Sequence, residues 1–289
     1  QGLGIFRAEQ ANELGKLLAY QDIFSAFSSP IIVLFLGGFS LAIAASKYQL
    51  DINLSRVLLR PFGNKPANIM LGLMLLTALF SMFMSNTATT VMMLSLLTPI
   101  IVALPKQDLG IKALVLAIPV AANTGGIATP IGTPPNAIAL QYLSGEHSVS
   151  FIEWMQMGVP YVILQLAFAW WLLQKLFPFQ SETINLSFTG HFQRSWQAVV
   201  TYITFAGTII LWLTTSWHGR NTYVVAIIPL AGFTLTGIIG REEIKQINWE
   251  VLWVVAGGIA IGIALDKTGL VLALATSIDY SSFGVLVVI

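Results

Sequence analysis

The stretch MFMSNTATTVMM, Met82 to Met93, interrupts an apolar run with Ser85-Asn86-Thr87-Ala88-Thr89-Thr90, five polar side chains in six residues and no charge. In a water-soluble domain this would read as a helix cap. The surroundings argue otherwise. Of 289 residues, 56% are hydrophobic and only 9% charged, with mean hydropathy +0.78; a typical soluble domain has about 25% charged residues. Several apolar stretches approach or exceed the ~20 residues that cross a bilayer. The chain therefore reads as an all-α polytopic membrane protein with the lipid bilayer as its solvent. The lack of cysteine excludes disulfides, thiolate metal sites and cysteine catalysis. A net charge of +1 gives no footprint for nucleic acid. The first residue is Gln1 and no basic-then-apolar leader precedes the first span, so a longer parent chain is expected.

Apolar segments are expected at Pro30–Leu50, Ala67–Met84, Thr89–Leu104 and Lys112–Ala122, with a second piece at Ala137–Leu143. Further segments follow at Val159–Phe177, Trp196–Trp217, Thr222–Ile239, Trp249–Leu265 and Leu270–Ile289. Lys and Arg concentrate on the cytoplasmic side of such connections. Arg56, Arg60 and Lys65, then Lys106 and Lys112, Lys175 and Arg194, and Arg241 and Lys245 mark inward connections, whereas Ser144–Gly158 carries Glu146 and Glu153 and reads as outward. Both connections flanking residues 67–104 are basic, so the two arms between them enter and leave on the same side. They meet at Ser85-Asn86-Thr87. Two ordinary spans would also return to the starting side, but six uncharged residues make a poor far-side loop. The reading is a re-entrant hairpin with its tip at mid-depth. Trp154, Trp171, Trp196, Trp212, Trp217, Trp249 and Trp253 lie mostly at span ends and are expected to be interfacial anchors.

An internal repeat supports this architecture. GGFSLAIAASKYQL (Gly37–Leu50) and GGIAIGIALDKTGL (Gly257–Leu270) share Gly37/Gly257, Gly38/Gly258, Ile43/Ile263, Ala44/Ala264, Lys47/Lys267 and Leu50/Leu270 at a shift of 220 residues. The connection pattern makes the two segments cross in opposite directions. Inverted repeats of this kind occur in many secondary transporters, whose sites lie mid-membrane between the repeats. The same shift places a partner for Ser85 at position 305, past Ile289, with Leu270–Ile289 as the outgoing arm of that second hairpin.

The second break is AANTGGIATPIGTPPNAIAL, Ala121 to Leu140. Gly125, Gly126, Pro130, Gly132, Pro134 and Pro135 cannot sustain a continuous helix, because Pro lacks the amide donor and Gly is entropically costly. In hydrocarbon such backbone must be buried in protein or line a wet cavity. Neither Met70–Ile101 nor Ala113–Gln141 contains Asp, Glu, His, Lys or Arg, so both the acid relay of a proton carrier and an Arg clamp are missing from the breaks. What remains is hydroxyls, amides, carbonyls and helix ends. Carbonyl and hydroxyl oxygens suit Na⁺, half-helix N-termini suit a carboxylate, and a bound cation couples the two. A sodium-driven carrier of small organic anions is expected. His147, His191 and His218 never cluster and no His-Glu-x-x-His pattern occurs, so neither a histidine metal site nor an intramembrane metalloprotease is expected, and the chain reads as a carrier and not an enzyme.

Ser85-Asn86-Thr87 at a hairpin tip, together with IGTPPNAI (Ile131–Ile138) in a broken helix, resembles the divalent anion/sodium symporters, the INDY-like sodium–dicarboxylate cotransporters, over essentially the whole chain. The resemblance implies an inverted-repeat secondary transporter with re-entrant hairpins and discontinuous helices. It further implies a homodimer with elevator-type motion in a bacterial inner (plasma) membrane, coupling inward Na⁺ to uptake of a C4-dicarboxylate such as succinate. By the same resemblance, Ser85, Asn86, Thr87, Gly132, Thr133 and Pro134 bind substrate, with Asn86 on a carboxylate. Ser81, Ser85, Asn86 and Gly132 hold Na⁺, although Ser81 could instead bond its own backbone one turn back. Thr89 and Thr90 are expected to pack around the site. The implied division is scaffold and linking helices at 1–66, transport domain at 67–158, second scaffold at 159–269 and the start of the second hairpin at 270–289. A citrate or sulfate carrier of the same fold, and a channel or uniporter whose tips form a filter, stand as alternatives.

Overall fold

A computed structural model describes residues 19–143, 149–184 and 192–270. The expected hairpin arm beyond Leu270, Glu146, His147 and His191 lie outside the described residues. The described chain is helical, with no strand. Its helices are α1 (Tyr20–Ser25), α2 (Pro30–Lys47), α3 (Leu50–Leu59), α4 (Pro66–Ser81), α5 (Asn86–Val102), α6 (Gly110–Gly125) and α7 (Pro134–Tyr142). They continue with α8 (Phe151–Leu176), α9 (Trp196–Leu213), α10 (Thr215–His218), α11 (Thr222–Leu235), α12 (Arg241–Ile244) and α13 (Trp249–Lys267). Helix starts follow local chemistry. Pro66 and Pro134 occupy first-turn positions, where a missing N–H loses nothing. Ser85, Ser150, Ser195 and Asn221 each accept a hydrogen bond from a first-turn amide.

Among the described residues two compact units emerge, residues 19–32 with 249–270, and residues 33–248. In the larger unit α6 packs against both α4 and α5, and α8 covers α6. Met70, Leu73, Met74, Met93, Leu97, Leu114, Ile118 and Ala121 fill the space between them. A Cβ on Gly125 would lie 2.4 Å from the Ala78 Cα, so α4 and α6 meet backbone to backbone. The stretches Tyr20–Lys47, Gly110–Ala128, Phe151–Leu176, Trp196–Leu213 and Trp249–Lys267 are long and apolar enough to cross a membrane. The hairpin arms α4 and α5, with 16 and 17 residues, reach only about 24–26 Å against the ~30 Å of a hydrocarbon core.

Several connections are more ordered than their composition suggests. The outward loop expected to last until Gly158 ends at Ser150: a Ser150/Glu153 capping box starts α8 eight residues early, and the helix runs through Pro160 for 26 residues. The basic connection after Asp51 is the helix α3, whose Asp51, Asn53 and Ser55 are buried. Asp51 accepts from the Ser46 hydroxyl at 2.9 Å and the Ile52 amide at 2.7 Å. Burial raises its pKa despite these bonds. Not all tryptophans are anchors. Trp212 is fully buried, stacks on Phe151 at 5.2 Å and 14°, and donates its indole N–H to the Thr222 carbonyl at 3.2 Å. A buried indole needs such an acceptor. Trp171, Trp196, Trp217, Trp249 and Trp253 are exposed.

The segment after α8 is strapped to the ends of the hairpin and α6. The Ile184 amide donates to the Asn64 carbonyl at 2.8 Å, Phe179 lies against Gly110, and the Asp108 carboxylate collects the strap. It accepts from the amides of Gly110 (2.9 Å), Gln180 (3.2 Å) and Ser181 (3.1 Å) and from the Ser181 hydroxyl (3.0 Å). Burial pushes the Asp108 pKa up, but the four donors together outweigh it and hold the carboxyl below its ordinary value. A depressed carboxylate contributes stability above its unfolded pKa of about 3.9, and loses it as the pH falls through the folded value. Asp108→Asn is expected to cost about 2 kcal/mol at pH 7. In thermal unfolding of detergent-purified protein the gap to wild type should close below pH 4. A gap that persists unchanged at pH 3 would show that charge is not what Asp108 contributes.

The repeat recurs as local geometry. α2 ends at Lys47 and α13 at Lys267. A two-residue turn follows each, and helix resumes at Leu50 and at Leu270. The Tyr48 amide bonds the Ala44 carbonyl as Thr268 bonds Ala264, and Gln49 bonds Ser46 as Gly269 bonds Asp266. Both turns use a left-handed residue, Gln49 at φ 55° and Gly269 at φ 71°. The end lysines behave alike, Lys47 pairing with Glu243 at 2.7 Å and Lys267 with Asp22 at 2.6 Å. Glycine adopts this φ without a steric penalty, whereas a side chain costs roughly 1–2 kcal/mol. Gln49→Gly is therefore expected to raise stability by about 0.5 kcal/mol net of backbone entropy. A lowered thermal midpoint would refute that account of the turn.

Candidate functional site

The hairpin tip is the four-residue link Met82–Ser85 between α4 and α5. Its geometry follows from two choices of residue. Ser85 is extended (φ −64°, ψ 143°) and its hydroxyl accepts from the Ala88 amide, so α5 begins at Asn86. Ser81, the last residue of α4, is fully buried and points its hydroxyl inward. That oxygen lies 2.7 Å from the Asn86 Oδ1 and 2.7 Å from the Ala122 carbonyl of α6. One hydroxyl hydrogen cannot satisfy both acceptors, so the cluster is one hydrogen short and rich in lone pairs. The Asn86 Nδ2 donates to the Asn123 Oδ1 at 3.1 Å, which fixes the amide with its oxygen toward Ser81.

The broken helix closes the other side. α6 ends at Gly125, a single 3₁₀ turn covers Gly126–Ala128, and the chain is extended at Thr129 before α7 starts at Pro134. A Cβ on Gly126 would lie 2.8 Å from the Asn86 Oδ1 and 3.0 Å from the Gly132 carbonyl oxygen, while one on Gly132 would lie 2.4 Å from the Gly126 carbonyl oxygen. Only bare backbone lets the two breaks meet. No described residue donates a hydrogen bond to the Gly132 carbonyl, because Pro135 has no N–H and the Asn136 amide bonds the Thr133 carbonyl at 3.2 Å.

Of the residues singled out by sequence, the structure brings Ser81, Asn86 and Gly132 to one place. Ser85 stands beside them, its hydroxyl engaged in the cap. Thr87 is exposed in the first turn of α5, and Thr133 and Pro134 are half-buried at the start of α7. Thr90 bonds the Asn86 carbonyl at 2.7 Å, whereas the Thr89 hydroxyl is buried with no partner among the described residues. Ser85 and Ala88 also line a cavity of about 170 Å³ with Phe39, Ser46, Gln246 and Asn248, so the start of α5 opens onto a space small enough for a small anion. A larger cavity of about 610 Å³ is lined by Pro130, Leu140, Glu153, Arg220 and Tyr223.

Sequence reasoning missed three contributors. Ala122 supplies only a carbonyl, which no residue type announces. Asn136 is buried and donates to the carbonyls of Gly126 at 2.9 Å and Thr129 at 2.7 Å. Trp154, expected to be an anchor, donates to the Ile127 carbonyl at 2.9 Å, because α8 starts early enough to lay its first turn against the break. The Thr129 hydroxyl in turn bonds the Met82 carbonyl, linking the break to the tip.

A protein-family model described as citrate transporter matches residues 5–289. The chain is 32% identical over 281 residues to an uncharacterized transporter of Schizosaccharomyces pombe, covering 96% of this chain and 32% of that protein. It is 29% identical over 284 residues to the inorganic phosphate transporter PHO87 of Saccharomyces cerevisiae, covering 95% and 30% respectively. It is 30% identical over 298 residues to the sodium-dependent dicarboxylate transporter SdcS of Staphylococcus aureus, covering 89% and 56%. The chain thus spans about a third of the fungal relatives and about half of the staphylococcal one.

Proposed function

The chain belongs to the citrate transporter family, whose members and relatives are transporters rather than enzymes, and we propose that its two breaks form a half-site of a carrier coupling inward Na⁺ to uptake of a small divalent organic anion of the C4-dicarboxylate class. The observation that carries this reading is the oxygen cluster of Ser81, Asn86, Ala122 and Gly132, uncharged, short of hydrogens and buried but for the half-buried Asn86. Hard oxygen donors of this kind suit an alkali cation, and Ser85 completes the set through the tip it caps. The first-turn amides of α5, at Asn86 and Thr87, face an anion with the partial positive charge of a helix start. Thr133 and Pro134 mark the start of α7, which adds a helix-start dipole but no amide from Pro134 or Pro135. A cation held between these helix starts raises the affinity for a carboxylate and is favoured by it in return, which is coupling by linkage. The similarity to SdcS, named as a sodium-dependent dicarboxylate transporter, supports this reading. The proposal carries with it a homodimer and elevator motion of residues 67–158 against a scaffold that includes 159–269.

The test is uptake by the full-length protein in liposomes. Labelled succinate is expected to accumulate above equilibrium only under an inward Na⁺ gradient, with citrate and phosphate as competing arms. Accumulation of phosphate alone would transfer the site to the substrate named for PHO87. Flux indifferent to replacing Na⁺ by K⁺ or choline would defeat the carrier reading and favour a channel.

A further inference from the structure

We propose that Asn136 is a positioning residue for the cation half-site, holding the helix break so that the Gly132 carbonyl and the Asn86 Oδ1 face the same point. The inference rests on the proposed function and adds a residue that touches neither ion nor anion.

A break inside a membrane protein leaves carbonyls that must find donors. The Asn136 Nδ2 has two hydrogens, and its two good contacts are the Gly126 carbonyl at 2.9 Å and the Thr129 carbonyl at 2.7 Å. The third approach, to Ile127 at 3.5 Å, is too long to count as a good bond, and Trp154 takes that carbonyl instead. All three carbonyls are thereby held by side chains. The run Gly132-Thr133-Pro134-Pro135-Asn136 therefore does two jobs. Its prolines withhold the donor that would cap the Gly132 carbonyl, leaving that oxygen open. Its asparagine ties down the two carbonyls nearby that would otherwise turn toward any cation or donor. Gly126, held by its carbonyl, is the residue against which both Asn86 Oδ1 and Gly132 O rest. Losing the Asn136 amide strips the Gly126 carbonyl of its side-chain donor and leaves the Thr129 carbonyl only the long 3.4 Å bond from the Gly132 amide, and their relaxation moves Gly126 first.

The experiment measures Na⁺ activation of uptake by the full-length protein in liposomes, at saturating succinate, together with succinate KM at saturating Na⁺. Asn136→Leu keeps the shape and removes both donors; Asn136→Ser keeps one; Trp154→Phe removes only the Ile127 bond. Asn136→Leu is expected to raise the half-activating Na⁺ concentration at least tenfold while succinate KM changes less than threefold. Asn136→Ser should fall between it and wild type, and Trp154→Phe, which frees only the Ile127 carbonyl, should shift the Na⁺ dependence less than Asn136→Leu does. If Asn136→Leu fails to fold, the Ser variant decides, with a shift of threefold or more expected. An unshifted Na⁺ dependence in the folded Asn136 variant, or an equal shift in Trp154→Phe, overturns the positioning role while leaving the carrier intact. A wild-type protein indifferent to Na⁺ overturns the proposed function, and this inference falls with it.

Discussion

Asn86→Ala is expected to lower Na⁺-driven succinate uptake by the full-length protein at least a hundredfold while leaving a folded, monodisperse protein. Asn86 is the residue on which both halves of the proposed chemistry converge. Its Oδ1 sits 2.7 Å from the Ser81 hydroxyl and against Gly126, within the oxygen cluster, and its backbone amide is in the first turn of α5. Truncation removes the proposed cation ligand and the proposed polar contact to the anion, and each charge-assisted interaction is worth about 1.5–3 kcal/mol. Two such losses in a coupled site multiply to a hundredfold or more. The fold should survive, because Asn86 is only half-buried and the cap of α5 belongs to Ser85. Truncating its partner, Asn123→Ala, removes the 3.1 Å bond that orients the amide, and should show the same defect in weaker form. Size exclusion and thermal unfolding separate this from collapse. Wild-type uptake by Asn86→Ala would remove the residue from the site.

How much of this was legible in the sequence depends on whether side chains or backbone carry the information. The hairpin tip was legible because five polar residues in an apolar run have no other use, and because Ser is a strong cap: α5 starts one residue after Ser85. The repeat was legible down to the turn after Lys47, since Gly269 discloses a left-handed position that Gln49 conceals. What escaped is mostly a matter of backbone. The carbonyls of Ala122 and Gly132 carry no sequence signature, although Pro135 explains why the second is free. Asn136 reads as a turn residue in a Pro-rich run until its amide is seen reaching back to Gly126. The early start of α8 was hidden by Pro160, which a helix tolerates here in its interior, and Trp154 was misread with it. Asp51 lay outside the two breaks searched for buried acids, yet it is buried in α3.

Gly126→Ala is expected to separate stability from transport more sharply than any polar substitution. Gly126 adopts φ −58° and ψ −21°, an ordinary right-handed helical conformation, so alanine meets no backbone strain there. On propensity alone it should stabilise the turn by up to about 1 kcal/mol. The steric environment opposes this: the new methyl would lie 2.8 Å from the Asn86 Oδ1 and 3.0 Å from the Gly132 carbonyl oxygen. The first neighbour is the end of a side chain and can rotate away; the second is backbone and must give by a few tenths of an ångström. The protein therefore folds, but Asn86 is turned off Ser81 and the oxygen cluster opens. Na⁺-dependent uptake should fall at least a hundredfold with the thermal midpoint changed by only a few degrees. Gly132→Ala should behave differently, since its methyl would meet the Gly126 backbone carbonyl at 2.4 Å, and loss of folded protein is expected there. The contrast carries the argument, because the two glycines touch each other and only Gly126 faces a movable ligand. Gly126→Ala with wild-type uptake would mean that the space between Asn86 and Gly132 is not where the ion binds.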